Sequence, residues 1–365
     1  MSNLDTFVHT ACALAVVVTV ARLLGSLMAY IGQPRVIGEM IAGVLLGPTL
    51  LSSLFPAFTD YLFKDTQVSI YILGNLGLSF YMFLVGMDID FSTVDKSARK
   101  QAGTLSAVAT VIPFGTGCYA AYIFYDVLCL PGIPLFSFMF FTGTAFSIMA
   151  FPMLARILDE KDLIRTKLGS LSLLSACIQD VATWIMLAFI TAIASTGELK
   201  DGLITLFGAL VFVIISIFIG KPLLKLLGEK VQKQGKINQN QFALVLVCLL
   251  AAAIITDKVG LYSVFGGFIL GLTMPRNSVF QFEIRSKLQD IMVVFFLPLF
   301  FAFSGLKTNF LVLFSTNLLV PCLVVLGLSI ASKYVPVLLS MKACGYSWRQ
   351  SSAIGGLITA RGLME

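Results

Sequence analysis

Charge is scarce in this sequence: Asp, Glu, Lys and Arg make up 12% of its 365 residues, against roughly a quarter in soluble domains. With 58% hydrophobic residues beside so few charges, the chain lacks the polar surface needed to face water on all sides, which excludes a soluble globular protein. Histidine is nearly absent; His9 is the single copy, and with no partner nearby in the sequence it reads as an interfacial residue rather than a ligand. Cys12, Cys118, Cys129, Cys177, Cys248, Cys322 and Cys344 show no metal-ligand spacing, and most lie inside apolar runs, so they read as small packing residues. There is no nucleotide-binding loop, catalytic triad or metal cluster. No enzymatic activity, metal or cofactor is therefore expected. The formal charge of +6 would suit a nucleic-acid partner in a soluble protein, but in a membrane protein the placement of Lys and Arg carries the information, and no nucleic-acid partner is expected.

What the chain does have is a succession of apolar runs of about twenty residues, enough for a helix to cross a hydrocarbon layer roughly 30 Å thick. They predict helices at 7–31, 34–54, 68–87, 99–125, 133–158, 167–195, 201–220, 240–256, 260–275, 287–306, 310–340 and 349–365. The first is too long for a signal-peptide core and has no basic start, Asp5 being the only charge before it. With the N-terminus outside, loops and flanks after odd-numbered helices carry 18 basic residues and those after even-numbered helices carry 4. That is the asymmetry expected when Lys and Arg stay in the cytoplasm. A multi-pass protein of the cell membrane, surrounded by lipid, follows.

An internal repeat is visible. VIGEMIAGVLLG from Val36 and VFGGFILGLTMP from Val264 share Gly38 with Gly266 and Gly43 with Gly271; FLVGMDIDF ending at Phe91 and AFSGLKTNF ending at Phe310 share Gly86 with Gly305. The matched helices have opposite parity, so the repeat, about 34–195 and 260–365, is inverted, as in alternating-access transporters. Chance likeness among Gly-rich apolar helices is the competing reading. On the pairing, the second repeat lacks its last helix, and the sequence is expected to be a fragment that stops inside its twelfth helix.

Ionisable residues inside membrane helices cost roughly 2.5–3.5 kcal/mol on insertion scales and so ask for a role. Asp180 lies mid-helix in SLLSACIQDVATWIMLAF, next to Gln179 and one turn from Thr183. Burial penalises its bare charge, so a proton or a cation must neutralise it, and that competition couples two fluxes. A structural carboxylate is the alternative. Lys333, in LGLSIASKYVPVLLSM, is a possible partner across the repeat interface, with a snorkelling lysine as the alternative. Helix 5, FTGTAFSIMAFPMLARIL, clusters Thr142, Gly143, Thr144, Ser147 and Pro152, and its mate AIGGLITARGLME carries Gly355, Gly356, Thr359, Arg361 and Gly362. Both are expected to be broken helices whose unwound carbonyls can strip water from a cation. Arg361 would balance carbonyl ends or acidic partners, or else face the cytoplasm. Glu39 reads as a cap near a helix end, and Asp88 and Asp90 as solvated residues.

The segments QPRVIGEMIAGVLLGPTLL (33–51), AFPMLARIL (150–158), QDVATW (179–184), LPLFFAFSGLKTN (297–309) and TARGLME (359–365) together resemble the cation/proton antiporter-2 family, nearest its plant-type cation/H+ exchanger branch. The resemblance implies an all-α, thirteen-helix inverted-repeat bundle with two crossed discontinuous helices, about twelve helices of which are present here, and a homodimer. It implies that Asp180, Gln179, Ser147 and Thr144 bind the cation and proton, that Lys333 and Arg361 compensate charge, and that the exchanged ions are H+ and K+ or Na+. A Gln-Asp pair resembles the potassium-handling, electroneutral members. One departure is Met149, where the family commonly has Thr; a thioether is a poor ligand for a hard cation. Two other functions stay open at this point: sodium-coupled solute symport on a related fold, and a membrane sensor without flux.

Overall fold

The computed structural model describes residues 3–89, 96–164, 166–196, 199–315 and 318–361, and every regular element among them is helical. A bilayer core offers no water to N–H and C=O groups, so backbone that satisfies itself is what can cross it. In chain order the helices are α1 (Asn3–Tyr30), α2 (Arg35–Leu46), α3 (Leu51–Leu54), α4 (Pro56–Phe63), α5 (Gln67–Asp88), α6 (Lys96–Ile123), α7 (Tyr125–Leu128), α8 (Leu135–Ser147), α9 (Phe151–Glu160) and α10 (Lys167–Thr196). There follow α11 (Leu199–Ile215), α12 (Lys221–Gln234), α13 (Gln239–Lys258), α14 (Val264–Thr273), α15 (Ser278–Ile291), α16 (Leu297–Leu306), α17 (Leu311–Ser315), α18 (Leu319–Ala343) and α19 (Trp348–Ile358). Two π-helical turns, Ser216–Gly220 and Met292–Phe296, join α11 to α12 and α15 to α16 without interruption.

Among the described residues, nine helical stretches are long and apolar enough to cross a membrane. Each of the twelve predicted segments contains helix. Two of them, α14 and α19, are short, with 10 and 11 residues. The helix expected at 201–220 instead runs on to Gln234, because the charged turns after Gly220 still favour helix, and it stops where Gly235 takes a positive φ of 70°.

The chain gathers into two compact units, Met1–Asp90 with Phe207–Phe310, and Phe91–Leu206 with Leu311–Glu365. The first is assembled through glycines that let helix backbones touch. A methyl on Gly38 would overlap the Leu24 carbonyl of α1, and one on Gly266 would overlap the Ala252 carbonyl of α13. Gly43 sits in the same way on Ala302 of α16, and Gly271 on Phe83 of α5. The glycines matched by sequence thus occupy equivalent close crossings, α2 against α1 and α16, α14 against α13 and α5. Around them pack buried Phe83, Val231, Val245, Phe280 and Ile284.

Two readings of charged residues in this unit change. Asp88 is not simply solvated: it pairs with Arg285, and Arg276 and Gln281 donate to the Met87 carbonyl, so side chains finish the C-terminal end of α5. Asp90 lies outside the described residues. Glu39 does not cap α2, whose N-cap is Pro34 with no side-chain bond; it lies in the second turn, 1% exposed, beside Gly25 of α1.

Glycine substitutions separate close packing from helix propensity. Gly43→Ala and Gly271→Ala should each destabilise the protein by about 1–3 kcal/mol, the cost of forcing atoms into a filled crossing. Gly103→Ala and Gly327→Ala, where an added methyl meets nothing within 4 Å, should be neutral or stabilising by up to about 1 kcal/mol. Thermal unfolding of the four variants in detergent checks the contrast.

Candidate functional site

The second unit holds the predicted site residues, and its organising feature is a break between α8 and α9. Ile148 and Ala150 leave the helical region, with ψ of 146° and 78°. Pro152, at the start of α9, has no N–H, so the Ile148 carbonyl four residues earlier has no helical donor. Lys333 takes that place. It reaches from α18 fully buried and donates from Nζ to the Ile148 oxygen at 2.7 Å and the Ser147 oxygen at 2.9 Å. The snorkelling alternative for Lys333 is thereby excluded.

Arg361 completes the cap. Its Nη1 donates to the Ala145 oxygen at 3.3 Å, and its Nη2 to Phe146 at 2.9 Å and to Ser329 of α18 at 3.2 Å. Two cationic side chains therefore sit on the last carbonyls of α8, where the helix dipole is negative. Arg361 itself follows the end of α19, whose C-cap is Thr359. The Ala150 N–H donates to the Ala360 oxygen at 3.4 Å, so the α8–α9 break and the residues just after α19 touch directly.

A second proline acts similarly. Pro113 lies inside α6 and deprives the Ala109 carbonyl of its helical donor. Gln179 of α10 supplies it: Nε2 donates to Ala109 at 2.8 Å and to Ser147 at 2.9 Å, tying α6, α10 and the break together. Because both amide protons have acceptors, the orientation of the side chain is fixed by the network. Its Oε1 is buried without a hydrogen-bond partner among the described residues. Asp180, the next residue, is 7% exposed. Thr183 donates back to the Gln179 and Asp180 carbonyls at 3.0 Å, supporting the same turn of α10.

The remaining predicted residues have definite places. Ser147 donates its hydroxyl to the Thr110 oxygen at 2.8 Å, and Thr144 to the Phe140 oxygen at 2.9 Å; both are fully buried. Gly143 lies inside α8, one turn before the break, where it permits contact with Gly117 and Phe114 of α6. Gly356 lies inside α19 with open space beside it. The break is thus made by proline, and Gly143 contributes packing instead. Met149 is buried within the break, 1% exposed. Gly362 lies outside the described residues.

The carbonyls of the break are not held open for a cation, as the sequence suggested. Those from Ala145 to Ile148 accept from Arg361, Lys333 and Gln179, while Met149 and Ala150 accept from the Phe151 and Leu154 amides. Among the described residues of the cluster, Gln179 Oε1 is a buried side-chain oxygen without a hydrogen-bond partner. Pro113, with the Ala109 and Thr110 carbonyls, escaped the sequence reading. Its signal was a proline in the middle of an apolar helix: SAVATVIP of α6 matches SIASKYVP of α18, with Ser106 over Ser329 and Pro113 over Pro336.

Comparison with known proteins places nearly the whole chain among membrane transporters. A family model described as sodium/hydrogen exchanger, transmembrane, matches residues 14–365. The chain is 36% identical over 352 residues to the Na(+)/H(+) antiporter NhaS4 of Synechocystis, covering 96% of this chain and 86% of that protein. It is 32% identical to Cation/H(+) antiporter 19 of Arabidopsis thaliana, covering 96% of this chain but 44% of the relative, so it spans less than half of that plant protein. The solved structure of the sodium proton antiporter MjNhaP1 from Methanocaldococcus jannaschii at pH 8 superposes with a TM-score of 0.63 at 16% identity, covering 96% of this chain and 82% of that one. That likeness shows a shared fold.

Exchanging donors tests the proline logic. Lys333→Met leaves the buried Ile148 carbonyl without its donor and should cost about 1–3 kcal/mol of stability. In that background Pro152→Ala, which restores an N–H four residues after Ile148, should recover part of the loss, although the same substitution alone should not stabilise. Thermal midpoints and amide exchange over 145–155 give the measurement.

Proposed function

Since the chain belongs to the sodium/hydrogen exchanger family, we propose that it is a secondary transporter exchanging a monovalent cation, K+ or Na+, for protons by alternating access, with Asp180 as the shared carboxylate. The observation that carries this reading is the position of Asp180. It is nearly buried beside a break whose two cations, Lys333 and Arg361, are both engaged with carbonyl oxygens. A buried acid is neutralised either by a proton or by a cation, and one carboxylate cannot hold both at full strength. The antiporter relatives favour exchange over solute symport or sensing.

Roles follow from the bonds. Gln179 Oε1, adjacent in sequence to the acid and without a donor among the described residues, is a neutral oxygen for a partly dehydrated cation. Ser147 and Thr144 have given their protons to backbone oxygens, so lone pairs remain for an ion. Lys333 and Arg361 hold the half-helix end and keep the surroundings of Asp180 electropositive when it is charged. We also take the protein to be a homodimer of the cell membrane with its N-terminus outside, and the two halves to be inverted repeats, a reading supported by the matched glycine crossings.

In everted vesicles or proteoliposomes, adding K+ or Na+ should release protons, read by a pH-sensitive dye. Asp180→Asn should abolish the signal while Asp180→Glu keeps part of it; full exchange by Asp180→Asn would remove the assignment. Because proton and cation compete for one group, the apparent KM for the cation should rise about tenfold per pH unit on the acid side, with Vmax nearly unchanged.

A further inference from the structure

From Phe207 onward, the helix that runs from Leu199 to Gln234 presents one side to the first unit and leaves the other exposed. Leu224, Leu227 and Val231 are buried in the first unit's core. Along the outer side, Phe207, Phe218 and Leu226 are more than half exposed, and the stripe stays apolar as far as Leu226. From Leu203 to Leu226 the rise at 1.5 Å per residue is about 35 Å, the length of a slightly tilted hydrocarbon crossing. One turn further, the same stripe becomes Lys230 and Lys233, both exposed. Lys221 and Lys225 flank it, the latter with its side chain 75% exposed and a loose 4.0 Å contact to Glu229. Over residues 221–236 there are five lysines, counting Lys236, and one acid.

We propose that the outer face of α12 is a binding surface for anionic phospholipid headgroups, with Lys221, Lys225, Lys230 and Lys233 holding headgroup phosphates while Leu223 and Leu226 lie against the acyl chains. The ligand is chosen by two features together: Lys230 and Lys233 begin where the apolar stripe ends, at headgroup depth, with Lys221 and Lys225 beside its last turns, and the net positive charge of the four has one carboxylate, Glu229, to answer it within α12. Lysine ammonium groups on long stems reach phosphates from that depth. A positive-inside bias alone would account for the lysines being on one side of the membrane, but not for Lys230 and Lys233 continuing the exposed apolar stripe in register.

The full chain, purified and placed in nanodiscs of mixed phosphatidylglycerol and phosphatidylcholine, provides the test; a nanodisc exposes both leaflets, so direction of insertion does not alter the result. Native mass spectrometry counts the lipids retained. The wild type should keep phosphatidylglycerol in preference, less so as salt rises, and not yield it to inorganic phosphate. Each lysine changed to Gln among Lys221, Lys225, Lys230 and Lys233, singly or together in a fourfold variant, should lower the preference roughly fivefold, so Lys230→Gln/Lys233→Gln should lower it well over tenfold, whereas Lys64→Gln/Lys258→Gln, which removes the same two charges elsewhere, should leave it. An unchanged preference in the fourfold variant, an equal loss in the control, or displacement by inorganic phosphate would overturn the proposal. So would loss of a dimer with lipid retention intact, which would assign the face to a second copy. Thermal unfolding confirms that each variant is folded.

Discussion

A carbonyl that loses its helical donor inside a bilayer must find another, and in this protein that requirement builds the site. Pro152 frees the oxygen of Ile148 and Lys333 takes it; Pro113 frees the oxygen of Ala109 and Gln179 takes it. An unsatisfied buried carbonyl costs more than a typical hydrogen bond gains, so the two side chains are held by need as well as by attraction. Gln179 also bonds Ser147, and Lys333 bonds the same oxygen. The break, α10 and α18 are therefore tied at one carbonyl, with α6 joined through Ala109, and the position of Asp180 on α10 is inherited from that tie.

The same bonds organise the charge. The end of α8 carries the negative pole of a helix dipole, and Lys333 and Arg361 are bonded to it. Peptide oxygens answer part of their charge. A site of this kind tolerates Asp180 either bare or neutralised, since neither state leaves the cations without acceptors. On the proposed mechanism it can therefore alternate without rebuilding the break.

Much of this architecture was legible in the sequence because membrane helices are written in composition: twelve apolar segments were found where helices lie. The matched Gly38 and Gly266 were legible because a close crossing admits no other residue. Asp180, Gln179, Lys333 and Arg361 stood out because polar groups are rare at that depth. What could not be read was the direction of the side chains. That Lys333 is bonded to the Ser147 and Ile148 carbonyls is one such fact. Gly143 suggested unwinding and instead packs against α6, while the break takes its origin from Pro152. Asp88 read as solvated because Arg285 is distant in sequence. Each of these depends on a tertiary neighbour that a linear pattern does not name.

The geometry around Gln179 also bears on how many charges the site can carry. Its Nε2 meets two carbonyl oxygens, which are acceptors. A carboxylate at position 179 has no protons to offer them and would leave Ala109 without a donor while placing a second negative charge against oxygen atoms. The surrounding backbone is thus fitted to an amide, through Pro113 and the α8–α9 break alike. On the proposed mechanism that leaves Asp180 as the one titratable acid in this cluster, and a single carboxylate that gives up one proton for each monovalent cation it accepts moves no net charge. Stoichiometry on this reading follows from a proline in α6, because it is the Ala109 oxygen, exposed by Pro113, that asks for the amide.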